Sequence, residues 1–145
     1  MSVTSIKISH ELYKLGALGA AFLTLISTTL GFIDSAKLAT SFLTISGISW
    51  FYVLANCHCK LRLNYDPKSG QHFKKLGMGN CLTLTRGLLI GATAGFIGTD
   101  PSALSKFVVF FPAIFYTIAA IGDALDGYIA RVTKQTTQLG SELDN

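Results

Sequence analysis

Four long apolar segments constrain the fold of this chain more than any other feature of its sequence. Residues 15–33 and 38–57 contain no charged side chain, and Asp34 and Lys37 lie in the turn between them. Residues 80–97 contain only Arg86, and residues 103–122 contain only Lys106. Each segment is close to the roughly 20 residues that an α-helix needs to cross a bilayer. The sequence therefore predicts an all-α integral membrane protein with about four transmembrane helices.

The composition excludes an ordinary soluble domain. Half of the 145 residues are hydrophobic and 14% are charged, whereas about a quarter are charged in a typical soluble domain. A soluble chain of this length could not bury so much apolar surface in one core. The segment 15–33 is also longer than the apolar region of a typical signal peptide, which favours a retained membrane span.

The basic residues predict the orientation of the chain. Four spans place both termini on one side, and ten of the twelve basic residues fall on that side, with only Lys37 and Lys106 opposite. The positive-inside rule makes that side cytoplasmic. Five of the ten lie in residues 60–75, which we expect to form a basic linker against anionic headgroups. No basic face carries interleaved aromatic residues, so no nucleic-acid partner is expected. The ten are Lys7, Lys14, Lys60, Arg62, Lys68, Lys74, Lys75, Arg86, Arg131 and Lys134.

The residues that suggest chemistry begin at the cytoplasmic end of the fourth predicted span. Asp123 and Asp126 are three positions apart, so both carboxylates project from one face of a helix. Two such acids repel each other unless a cation lies between them, and their oxygens suit Mg²⁺ or Mn²⁺. Gly127 has no side chain and lets another backbone or a ligand approach closely. The guanidinium of Arg131 has planar donors that suit a phosphate. The pattern therefore favours a site that binds a metal-bound pyrophosphate. The alternative is that these residues are only solvated side chains flanking a span.

The spacing around these residues resembles a known family signature. Residues 126–144 are similar to the signature D-G-x2-A-R-x8-G-x3-D-x3-D of the CDP-alcohol phosphatidyltransferases, and Asp123 matches a further acid three positions before it. Upstream, the spacing of Asn80, Thr83 and Arg86 resembles the N-x2-T-x2-R stretch that often opens the first core span. The signature positions within the chain are all filled, by Asp126, Gly127, Ala130, Arg131, Gly140 and Asp144.

The resemblance implies a function and a role for each matching residue. Family members transfer a phosphatidyl or phospho-alcohol group from a CDP-linked donor, often CDP-diacylglycerol, to an alcohol and release CMP. They use Mg²⁺ or Mn²⁺, work in the bilayer and are often homodimers. The implied metal ligands are Asp123, Asp126 and Asp144. The implied CDP-binding residues are Gly127, Ala130, Arg131 and Gly140, and the implied pocket residues are Asn80, Thr83 and Arg86.

The resemblance also implies what lies outside these residues. The last acid of the signature, the proposed base, would fall at position 148, beyond Asn145, so no catalytic base is expected within the chain. The family core has six spans, and the last two predicted here match its first two. We therefore expect residues 1–79 to form a two-span hairpin with a basic linker, and residues 80–145 to form the first part of the core, inactive alone.

Two other classes of function remain as alternatives. The first is a non-catalytic membrane subunit or degenerate relative that binds CDP-lipid or metal. The second is part of a transporter or channel, against which the intact signature weighs. The alcohol acceptor stays open, since glycerol 3-phosphate, serine, inositol phosphate, choline and diacylglycerol all occur in the family.

Overall fold

The computed structural model describes residues 3–132 and 137–143, and the regular structure in this part of the chain is helical. Within the linker, an isolated bridge joins Tyr65 and His72. The prediction of an all-α fold is therefore confirmed. The helices are α1 (Val3–Ile33), α2 (Ala36–Lys60), α3 (Met78–Ala94), α4 (Phe111–Val132) and α5 (Gln138–Leu143), with short 3₁₀ turns at Leu61–Leu63, Pro101–Ala103 and Val108–Phe110.

Three segments in the described residues are long and apolar enough to cross a membrane: Ile8–Ile33, Ala36–Leu63 and Val108–Leu125. They correspond to the first, second and fourth predicted spans. The third predicted span is α3, which has 17 residues and rises about 26 Å, near the lower limit for a span. It ends earlier than predicted because the chain turns through residues 95–98, where Gly98 has a φ of 79°.

The first two helices form a closely packed hairpin. Ser35 starts α2, and its side chain accepts a hydrogen bond from the Leu38 amide at 3.2 Å. Further along, Trp50 is buried, and its Nε1 donates to the carbonyl of Gly16 at 3.1 Å. A Cβ on Gly19 would lie 2.6 Å from the same indole ring. The hairpin therefore depends on small residues in α1 that leave space for Trp50.

Helix α3 packs on α2 through a row of glycines spaced four residues apart. A Cβ on Gly87 would lie 3.1 Å from Val53, and one on Gly91 would lie 3.1 Å from Ser49. A Cβ on Gly95 would come within 2.5 Å of Phe42, whose side chain is fully buried. Small residues of this kind let apolar helices approach closely. They bring the N-terminal hairpin directly against the helix that carries Asn80, Thr83 and Arg86.

Helix α4 lies on another side of α3 and exposes much of its apolar surface. Phe115 is buried, and its ring meets that of Phe22 edge-on at 6.1 Å. Pro112 lies inside the fourth predicted span, and its position there predicts a kink. This prediction is wrong, because α4 begins at Phe111 and places Pro112 in its first turn. A proline fits there since the first amides of a helix have no partner within it. The large exposed apolar residues of α4 include Ile114, Tyr116, Ile118, Ile121 and Leu125.

Candidate functional site

An ion pair between α3 and α4 joins two of the residues that the sequence singled out. The Nη1 of Arg86 contacts the Oδ1 of Asp123. Arg86 lies eight residues into α3, about 12 Å along its axis. Its side chain is only 17% exposed, whereas that of Asp123 is 64% exposed. The pair thus combines a largely buried cation with a carboxylate that a ligand can still reach.

The signature residues from Asp123 to Arg131 all lie on α4, which continues to Val132. This confirms that Asp123 and Asp126 are one turn apart on a single helix. The side chains of residues 126–132 lie outside the described part of the structure. The roles predicted for Asp126, Gly127, Ala130 and Arg131 therefore stay predictions.

The last signature position within the chain also lies outside the described residues, which end at Leu143. Asp144, predicted as a metal ligand, and Asn145, beyond which the catalytic base was expected, both follow that point. The metal-binding role of Asp144 and the position of the base beyond Asn145 are therefore predictions that the structure does not test.

A second group of polar contacts surrounds Asn80 at the start of α3. Asn80 is buried, and its Nδ2 donates to the carbonyl of Leu76 at 2.6 Å and to the Oδ1 of Asn64 at 3.1 Å. Its Oδ1 accepts a hydrogen bond from the hydroxyl of Thr137 at 3.0 Å. Both amide hydrogens of Asn80 are thus bonded within the protein. Thr83, one turn further, is also buried, and its hydroxyl donates to the carbonyl of Gly79 at 3.2 Å.

Gly140 lies beside Asn80, in the same group of polar contacts at the start of α3. Thr137 precedes α5, and its Oγ1 accepts a hydrogen bond from the amide of Gly140 at 2.9 Å. A Cβ on Gly140 would lie 2.9 Å from the Oδ1 of Asn80. The sequence predicts Asn80 and Gly140 separately as site residues, but it does not indicate Asn64 and Thr137. Threonine three residues before the glycine is a helix-capping pattern that could have revealed Thr137.

Helix α5 is held against the beginning of the linker. The amide of Gln138 donates to the carbonyl of Tyr65 at 3.1 Å, and Leu139 is fully buried. Lys60 Nζ donates to the Glu142 carbonyl at 3.1 Å and lies 3.4 Å from its Oε2. Because both side chains are at least a third exposed, that ion pair adds little stability. The buried leucine and the backbone hydrogen bond are the stronger links.

The donor types fit the divalent ion that the signature implies. Among the described side chains, no group of three or more His, Cys, Asp or Glu could hold a metal. Of the three predicted ligands, only the side chain of Asp123 is described, and its carboxylate is exposed. Asp126 follows one turn later on α4. Carboxylate oxygens so placed are the ligands that Mg²⁺ and Mn²⁺ prefer.

Residues 76–145 match the CDP-alcohol phosphatidyltransferase family. The matched segment covers just under half of the chain and contains α3, α4 and α5. It confirms the resemblance drawn from the signature. This family implies phospholipid biosynthesis by transfer from a CDP-alcohol, and it is generally dependent on divalent metal. Comparisons with curated proteins and with solved structures gave no match.

The transferase-family segment is tied to the N-terminal hairpin at its first residue. The Oε2 of Glu11, in α1, accepts a hydrogen bond from the amide of Leu76 at 2.8 Å. Together with the glycine contacts between α2 and α3, this bond shows that the hairpin packs against the family segment.

Proposed function

We propose that this chain acts in phospholipid synthesis, in the metal-dependent transfer of a phosphatidyl or phospho-alcohol group from a CDP-linked donor to an alcohol, with release of CMP. The observation that carries the proposal is the start of the signature on α4, where the acid that precedes it, Asp123, contacts Arg86 of α3. The family match over residues 76–145 supports the same reaction class.

In this proposal each residue of the site has a distinct task. Asp123, Asp126 and Asp144 would hold Mg²⁺ or Mn²⁺, which when bound neutralises the pyrophosphate of the donor. Arg131 would bind a donor phosphate through its planar guanidinium. The small residues of the signature would leave space for the nucleotide to approach the backbone closely. These are Gly127, Ala130 and Gly140.

Arg86 would position Asp123. A largely buried guanidinium beside an exposed carboxylate fixes the rotamer of the acid's side chain. Asn80 and Thr83 would support the pocket from α3, since the polar groups that the structure describes for them are bonded to protein partners.

We also propose that the site and both termini face the cytoplasm. The support is the charge distribution, because the basic linker and the end of α4 are assigned to the side that carries ten of the twelve basic residues. CDP-diacylglycerol would then enter from the cytoplasmic leaflet.

A second candidate is a membrane subunit that binds CDP-lipid or metal without catalysis. The observation that favours it is that the predicted pocket residue Asn80 is bonded to protein partners and lies against Gly140, a predicted CDP-binding residue. In this case the ligand would bind and no CMP would be released.

The test is release of CMP from CDP-diacylglycerol by the full gene product, with Mg²⁺ or Mn²⁺ and a panel of acceptor alcohols. We expect activity with one acceptor, and its loss in Asp126→Asn. The matched control is Asp100→Asn, since Asp100 is an exposed acid in the loop between α3 and α4 and should leave the rate unchanged. Binding of CDP-diacylglycerol without CMP release from any acceptor would favour the second candidate.

A further inference from the structure

Helix α3 presents three different sides, and one of them has no role in the contacts described so far. Successive residues of a helix turn by about 100°. Gly87, Gly91 and Gly95 face α2, and Arg86 faces α4. The remaining side carries residues at the spacing i, i+3, i+4 and i+7, which are Met78, Cys81, Leu82 and Thr85.

A pocket of about 700 Å³ opens on this third side. Its apolar wall includes Phe73, Leu76, Met78, Cys81 and Leu82. A volume of this size is within the range of pockets that bind small molecules. The pocket is therefore large enough to hold part of an acyl chain, and its wall is apolar enough to bind one.

The edge of the same pocket is basic. Lys74 and Lys75 both line it, and both are exposed. Glu11 lines it as well, but its Oε2 already accepts the amide hydrogen of Leu76 at 2.8 Å, which ties α1 to the pocket wall. Two cations against one hydrogen-bonded carboxylate leave a net positive charge beside an apolar space.

The pocket also lies where a membrane surface is expected. The first candidate span begins at Ile8, so Glu11 is in its first turn. Lys74 and Lys75 belong to the basic linker between α2 and α3. Lysines at this level are attracted to anionic lipids of the cytoplasmic leaflet, and their long stems allow the ammonium groups to reach the headgroups.

We propose that this pocket binds one anionic phospholipid, with an acyl chain against Leu82 and Cys81 and the phosphate between Lys74 and Lys75. Thr137 also lines the pocket and donates to Asn80, so the site adjoins the predicted donor-site residues. Arg86 and Asp123 are not among the described residues that line it. Glu11 and the segment 73–75 also lie before the family match, which begins at residue 76. The basic edge of the site therefore belongs to this chain's own N-terminal part, whereas most of its apolar wall, including Cys81 and Leu82, belongs to the matched segment.

The test is native mass spectrometry of the purified full chain in detergent, titrated with phosphatidylglycerol or with phosphatidylcholine carrying the same acyl chains. We expect one phosphatidylglycerol to be retained, and phosphatidylcholine to bind at least several-fold more weakly. Lys74→Gln/Lys75→Gln should weaken phosphatidylglycerol binding about tenfold. Leu82→Trp, which fills the pocket, should weaken binding of both lipids.

The matched control is Arg62→Gln/Lys68→Gln, which removes two exposed charges from the same linker without touching the pocket lining. It should bind phosphatidylglycerol like the wild type. Equal weakening in both double variants would overturn the proposal in favour of general attraction to the basic surface. Displacement of the lipid by glycerol 3-phosphate would overturn it in favour of a free-phosphate site. Because lipid retention is measured, these outcomes are independent of CMP release.

Discussion

The interface of α3 with α2 and that of α3 with α4 are built in different ways. Toward α2, glycines and a fully buried Phe42 place the two helices in close apolar contact. Toward α4, the most informative contact is the ion pair of Arg86 with Asp123, whose carboxylate is exposed. The first interface therefore supplies rigidity and the second keeps polar groups accessible. A substitution at the first should change stability, and one at the second should change chemistry.

The largest effect is expected at the polar interface. Arg86→Gln removes the charge that positions Asp123, and we expect CMP release by the full gene product to fall about 10²–10³-fold, as when one preorganised charged donor is lost. Arg86→Lys should recover part of the rate, since it restores the charge without the planar geometry. Unchanged rates in Arg86→Gln, with the protein folded, would mean that the ion pair has no part in the reaction.

The next effect is on stability, at the apolar interface. Gly95→Ala would place a Cβ 2.5 Å from the buried ring of Phe42, and overpacking of this kind costs about 1–3 kcal/mol. The control is Gly47→Ala in the middle of α2, where a Cβ meets nothing within 4 Å. That change should be neutral or stabilise by up to about 1 kcal/mol through helix propensity. Thermal unfolding in detergent measures both, and equal melting temperatures would refute the close contact.

A more local effect is expected at Asn80, whose side chain links α3 to Asn64 in the linker and to Thr137 before α5. Asn80→Ala leaves the buried hydroxyl of Thr137 and the side chain of Asn64 without their partner, which costs about 1–3 kcal/mol. Hydrogen exchange should increase in α5, because Thr137 links that helix to α3. Asn56→Ala is the control, since the Asn56 side chain donates within α2, to the carbonyl of Tyr52. Equal protection of α5 in both variants would show that Asn80 does not hold it.

The smallest effect is expected in the linker. The hydroxyl of Ser69, followed by the amide of Lys68, lowers the pKa of Asp66 below its ordinary value. Such an acid adds stability above its unfolded pKa, and this contribution is lost as the pH falls through the lower, folded pKa. Ser69→Ala should raise the pKa of Asp66 toward its ordinary value without changing the helices. An NMR titration of the Asp66 carboxyl checks this, and an unchanged midpoint would contradict it.

The sequence predicted the helices well because hydropathy depends on local composition. Three predicted spans and the position of α3 follow from apolar runs, although the end of α3 depended on the turn at Gly98. The helical placement of Asp123 and Asp126 followed from their three-residue spacing. The family could be predicted because the residues of its signature lie close together in the sequence, within residues 123–144.

The pairing of side chains could not be predicted in the same way. Arg86 and Asp123 are far apart in the chain, and no periodicity relates them, so their contact depends on how α3 packs on α4. Likewise, Asn64 and Thr137 are ordinary polar residues until tertiary packing places them around Asn80. The four-residue spacing of the glycines in α3 indicates a helix-packing surface, but not that α2 is the partner.

The most direct test of the central claim is CMP release from CDP-diacylglycerol by the full gene product in Mn²⁺, comparing wild type, Asp123→Asn and Asp100→Asn. If the meeting of α3 and α4 at Asp123 forms the transferase site, Asp123→Asn should lose at least about 100-fold in rate, and Asp100→Asn should match the wild type. A wild-type rate in Asp123→Asn would contradict the account, because the acid that Arg86 contacts would then have no part in the chemistry.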